Sequence, residues 1–236
     1  MPTLRAMPVD EFIAELDAIV AKHHVCESTF IQRFVERGLG LEELKHFLKE
    51  YYWGMAFDGF FAFAAVASHM PPRTRRDDYF EIMRNLGSEA GVGHEDARSH
   101  DELQKLLPRY LGIDDDELYG HVASAATHGF RHTVVSYSFR RWETAVACIP
   151  FTIEGQGGRM HRLMWEGFQR HFDFPSEVMA YWRVHDELEE GHGDVARSLL
   201  APACETGEQQ WAVRDAVTAT CLTYRAMWDQ FEMLVR

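Results

Sequence analysis

Apolar residues recur along this chain at three- and four-residue intervals, and no run alternates in the way a half-buried strand would. Val9 to His23 reads as a short amphipathic helix with Phe12, Ile13, Leu16, Ile19 and Val20 on one side. Ser28 to Arg37 makes another, closed by Gly38 and Gly40. Leu41 to Ala67 is a long helix crowded with aromatics, including Tyr51, Tyr52, Trp53, Phe57, Phe60 and Phe61, and Pro71 and Pro72 end it. Arg73 to Leu86 is helical, with Tyr79, Phe80, Met83 and Leu86 expected inward. The next stretch, GSEAGVGHEDARSH, holds three glycines and reads as a loop or a distorted helix end. Short helices follow from Ser99 and from Asp114 to about His128. A long one then runs from about Arg131 to Phe172, kinked at Pro150. Pro175 opens the next helix, and a last one covers about Gly207 to Val235. With no internal repeat or linker, the pattern predicts a single all-α domain over residues 1–236.

The helix after Pro175 carries the chemistry. In YWRVHDELEEGHGDVARSL, Glu189 lies about 40° from His185 on a helical projection and His192 about 20° on the other side. All three share the strip with Tyr181, Leu188, Val195 and Leu199, whereas Asp186, Glu187, Glu190 and Asp194 fall opposite. The helix therefore turns a carboxylate and two imidazoles towards its own core. A buried carboxylate needs a partner or a metal. Two neutral imidazoles do not neutralise it, and a divalent cation held by all three does. The plainer alternative is an internal histidine–carboxylate pair. Gly191 and Gly193 flank His192, and each costs a helix about 1 kcal/mol relative to alanine. A close backbone approach or a local distortion at a site would explain them.

Composition narrows the partners. The formal net charge is −13, which disfavours nucleic acid and anionic membrane surfaces. Four widely spaced cysteines without a CxxC pair fit reduced thiols in a cytoplasmic protein. The first residues, MPTLRAMPVDEF, hold no apolar stretch of signal-peptide type, and the apolar run from Phe60 to Ser68 is too short to span a bilayer. A small-molecule substrate is the expectation.

Three ligands on one helix leave a metal under-coordinated, so further inward acids and histidines are needed. Glu154, in ACIPFTIEGQGGRMH, shares a helix side with Ala147, Phe151 and Gly158. Glycines 155, 157 and 158 would let a neighbouring helix approach closely. The interrupted segment offers Glu89, His94, Glu95, Asp96 and His100, among which spacing does not choose, because a loop has no fixed period.

The order NLGSEAG…SHDEL, FTIEGQ, YWRVHDELEEGH resembles the haem-oxygenase-like diiron oxidases, a superfamily that includes thiaminase II and pyrroloquinoline-quinone synthase. The family pattern is a Glu ahead of a His, then a mid-chain helical Glu, then His-x3-acid-x2-His. The resemblance implies Glu89, His100, Glu154, His185, Glu189 and His192 as metal ligands, with Glu189 standing where relatives often have Asp. It implies a seven-helix bundle, often dimeric. Three carboxylates and three imidazoles suit two Fe(II) ions, with O2 as co-substrate, and catalysis by these residues through the metals. The aromatic helix around Tyr51 to Phe61 is the expected pocket wall. A small amino-acid- or carboxylic-acid-like metabolite is the expected substrate. Asp58 is the only acid near FFAFAA, where N-oxygenating relatives carry an extra carboxylate. The reading therefore leans to desaturation or C–C cleavage over N-oxygenation.

Two rivals remain at this level. A metal-free oxidase would resemble the quinone synthase, although every ligand position is filled here. A thiaminase-like hydrolase would use Cys148 as nucleophile, but its later acidic partner falls on Tyr224.

Overall fold

Local hydrogen bonding decides where several of the helices begin. Ser28, Ser99, Asp114 and Ser124 each accept, through a side-chain oxygen, the backbone N–H three residues on. Thr206 and Gln209 exchange such bonds in both directions at the start of the last helix. The structure, a computed structural model, describes residues 5–55, 58–72, 74–93, 97–188 and 192–234; the side chains of 58, 59, 186–188, 192–195 and 234 lie outside that description.

Helices α1 (Val9–Lys22), α2 (Thr29–Arg37), α3 (Leu41–Met55), α4 (Asp58–His69) and α5 (Arg76–Glu89) form the first half. The middle holds α6 (His100–Tyr110), α7 (Asp115–Gly120), α8 (Ala125–Ser138) and α9 (Trp142–Val146). After a π-helix (Ala147–Ile153) come α10 (Glu154–His171), α11 (Ala180–Leu188), α12 (His192–Leu200) and α13 (Gly207–Leu234). The described residues contain no strand, so the expected all-α bundle is observed. The helix expected from about Arg131 to Phe172 is divided, since α8 ends at Ser138 and α9 begins at Trp142. Of the helices expected over Leu41 to Ala67 and after Pro175, the residues between α3 and α4 and between α11 and α12 lie outside the described ones.

The core is continuous from Phe12 to Phe231. At its centre α13 lies against α1, α2, α3 and α8, while α10 packs on α2 and α11. An aromatic column ties these layers together. Ring centroids are 4.9 Å apart for Phe30 and Phe47, 5.5 Å for Phe47 and Tyr51, and 5.0 Å for Tyr51 and Trp182. All four cysteines are buried and reduced.

Two expectations about the aromatics are corrected. Tyr79, Phe80 and Met83 are exposed, because α5 turns Asp78 and Ile82 inward instead. Asp78 is held there by a hydrogen bond from the Ser198 hydroxyl of α12, 3.0 Å long. Phe60 and Phe61 are likewise exposed, since α4 buries Ala62, Phe63, Ala65 and Val66. Phe57 lies outside the described residues.

The α2–α10 crossing depends on Gly167. A Cβ there would come within 2.5 Å of the Phe34 ring, which is fully buried and cannot swing away. Gly167→Ala is expected to cost about 1–3 kcal/mol of stability, read as a lower midpoint in urea with an unchanged slope.

Candidate metal centre

The break in α-helical hydrogen bonding at Pro150 shapes one side of the site. Proline has no N–H to donate, and the chain answers with the π-helix rather than a simple kink. The Thr152 hydroxyl serves the Ala147 carbonyl at 2.7 Å in this widened segment. The Gln156 side chain then locks the exit, donating to the Thr152 carbonyl at 2.9 Å and accepting the Val25 N–H at 2.9 Å. The π-helix ends where α10 begins, at Glu154. Ile149, Ile153 and Glu154 all line a cavity of about 50 Å³, enough for a few water-sized groups.

Three other helix ends or faces meet the same cavity. Glu89 closes α5 and His100 opens α6. The turn between them passes through Gly91, at φ +84°, where any Cβ would strike the Arg98 carbonyl at 2.7 Å. This folding-back brings His100 Nδ1 within 3.1 Å of Glu89 Oε1. His185 enters from α11, its ring 4.4 Å from that of His100. Its Nδ1 lies 2.7 Å from the Tyr181 carbonyl. A carbonyl only accepts, so Nδ1 carries the proton and Nε2 keeps the lone pair a metal would use.

Of the residues expected from sequence, Glu89, His100, Glu154 and His185 thus line one cavity. Glu189 lies outside the described residues, as does His94; His192 begins α12, but its side chain is not described. Arg131, Arg140, Arg141 and Arg159 do not line the cavity. They stack on Trp53 and Tyr137 or pair with Glu208 and Glu27.

Sequence reasoning missed several neighbours. His161, 3% exposed, lies two turns after Glu154 and lines the cavity, its ring 4.4 Å from His185. The seven-residue step places it about 20° from Glu154 on α10, a signal that was there to be used. Tyr51 Oη stands 3.3 Å from His161 Nε2 and 3.1 Å from Tyr181 Oη, joining α3 to α10 and α11. Gln104 follows His100 by one turn and also lines the cavity. Of the aromatic helix, Gly54 and Met55 form cavity wall rather than the rings at 60 and 61.

The helices that present these groups are anchored by charge. Tyr52 Oη of α3 donates to Asp101 at 2.8 Å, and the buried Lys105 amine binds Asp101 and Glu102. Burial alone would lower the Lys105 pKa, but those hydrogen bonds push it well above the usual lysine value. Glu50, beside Tyr51, is 1% exposed and accepts from the Ser124 N–H at 2.9 Å and the Thr127 hydroxyl at 2.7 Å, with His121 Nε2 also at 2.9 Å. Burial works to raise its pKa, but these bonds prevail and hold it below the usual glutamate value.

A model of the haem-oxygenase-like iron-containing redox enzymes matches residues 45–225. The chain belongs to this iron-containing redox enzyme family. Two curated relatives are a 4-aminobenzoate synthase of Chlamydia trachomatis, 26% identical over 80% of this chain and 79% of the relative, and a 4-chloro-allylglycine synthase of Streptantibioticus cattleyicolor, 22% identical over 96% and 85%. Among solved structures, a TenA homologue from Pseudomonas syringae superposes with a TM-score of 0.79 at 14% identity, covering 97% of this chain and 94% of the other. A haem-oxygenase-like domain from Shewanella denitrificans gives 0.67 at 13% identity over 95% and 90%. These likenesses show the fold.

The donors fit iron by type, since carboxylate and imidazole are both ligands it accepts. Among the described residues they do not close a shell, for no three His, Cys, Asp or Glu side chains are arranged to hold a metal by themselves.

The Glu50 bonds generate a pH prediction. A depressed carboxylate pKa stabilises the fold above the usual glutamate value and loses that contribution as pH falls through the folded value. Glu50→Gln is expected to lower stability by about 1–3 kcal/mol at neutral pH, because an amide offers fewer acceptor sites. Its melting temperature should fall less steeply than that of the parent below about pH 4.3, measured calorimetrically.

Proposed function

We propose that this protein is an O2-dependent oxidase or oxygenase built on two non-haem iron ions. Glu89, His100, Glu154, His185, Glu189 and His192 would hold them, and a small amino-acid- or carboxylic-acid-like metabolite would be oxidised. The observation that carries the reading is the meeting of Glu89, His100, Glu154 and His185, from four helices, at one cavity with apolar walls. Membership of the iron-containing redox enzymes supports it, as do two relatives named as synthases of small amino compounds.

Two Fe(II) ions would supply the electrons that reduce O2 and hence the power to oxidise a C–H or N–H bond. The chain supplies the rest. The Tyr181 carbonyl fixes the tautomer of His185, and Glu89 does the same for His100 by accepting from Nδ1. Met55, Phe130, Ile149 and Ile153 keep water from the oxidant. Desaturation or C–C cleavage is the reaction class favoured, in a biosynthetic setting, by a cytoplasmic homodimer.

The thiaminase-like alternative is disfavoured by Cys148. It is fully buried within the π-helix, accepts a hydrogen bond from the Thr220 hydroxyl at 3.2 Å, and does not line the cavity. No helix among the described residues is long and apolar enough to cross a membrane.

Anaerobic titration should take up two Fe(II) per chain, and admission of O2 should then give rapid O2 consumption. Glu154→Ala and His192→Ala are expected to weaken iron binding by about 100-fold or more, beyond the cost of losing a supporting hydrogen bond. Wild-type iron affinity in either variant would count against the assignment, and O2 consumption by the metal-free protein would favour the metal-free oxidase.

A further inference from the structure

Among the described residues, buried side-chain amides have partners, with one exception. Gln156 uses both ends, on Val25 and Thr152. Gln210 accepts the Met7 N–H and donates to the Met7 and Cys204 carbonyls. Gln104 is 8% exposed, yet its Oε1 is buried and receives no hydrogen bond. The oxygen belongs to a residue that lines the cavity, one helical turn from His100.

We propose that Gln104 is the substrate anchor, accepting a hydrogen bond from the amino group of a small, apolar-bodied primary amine, the amino end of an amino acid included. The inference rests on the iron-oxidase reading of the cavity and adds the class of molecule. An amide oxygen meets an N–H donor and repels a carboxylate. A charged ammonium donor makes the stronger bond. Among the described lining residues there is no Lys or Arg to compete with a cation or to hold a carboxylate. The walls at Met55, Phe130, Ile149 and Ile153 suit a hydrocarbon body, so the amide sets orientation within an apolar pocket.

The test compares the parent with Gln104→Met, which keeps length and volume and removes the acceptor, and with Gln104→Leu as a second variant. Each is loaded with Co(II), whose visible spectrum reports on the site, and titrated with n-butylamine and with butyrate. Co(II) stoichiometry should be the same in all three proteins, and the metal-free variants should melt no lower than the parent. The butylamine dissociation constant should rise about tenfold or more in both variants, while that of butyrate stays unchanged. An unchanged butylamine constant, an equal loss for butyrate, reduced Co(II) uptake or a lowered melting temperature would each overturn the proposal. If the parent binds no Co(II), the iron reading fails on its own, and butylamine calorimetry on the metal-free proteins decides Gln104 separately.

Discussion

Carboxylates carried into an apolar interior are the constraint around which this molecule is arranged. Glu50 and Glu154 both come from helices that turn mostly apolar or small residues inward, and a carboxylate in such a setting needs compensation. For Glu50 the protein does this itself, through a backbone N–H, a hydroxyl and an imidazole supplied by the segment around Ser124. That shell makes Glu50 a structural charge that pins α3 to the start of α8. Glu154 lines a cavity shared with Glu89 and three imidazoles, side chains of the types that would also hold a bound cation. The contrast between a charge enclosed by donors and one set at a cavity separates scaffold from site.

The scaffold serves that cavity by means that break regular structure. Proline at 150 opens the π-helix just before Glu154, and the left-handed turn at Gly91 folds α5 back so that Glu89 meets His100. Behind them the aromatic column and the Tyr51 hydroxyl link α3, α10 and α11 into one rigid support. Irregular backbone at the rim and dense aromatic packing behind it is a division of labour that positions side chains without loosening the core.

The same bundle is found in TenA-like proteins at 14% identity, so the fold does not name a reaction. The chemistry therefore rests on this chain's own side chains: its donor set, an amide at the cavity wall and a cysteine set aside from it.

Much of this was legible in the sequence. The 3.6-residue period and the capping residues Ser28, Ser99 and Asp114 mark helices, because both act over one or two turns, whereas the start at Ser124 falls inside a single helix expected from Asp114 to about His128. The inward strip holding His185 and the inward side of Glu154 follow from the same period. The tertiary structure alone decided the rest. That Glu89 and His100 meet depends on a turn without periodicity, and that Tyr79 and Phe80 face out depends on which side of α5 meets Ser198. His161 shares its strip of α10 with Glu154, but that it and Gln104 line one cavity follows only from how the helices pack around a common space. Helical spacing specifies the direction a side chain takes from its own axis, whereas a site requires several axes to converge, and only long-range packing sets that.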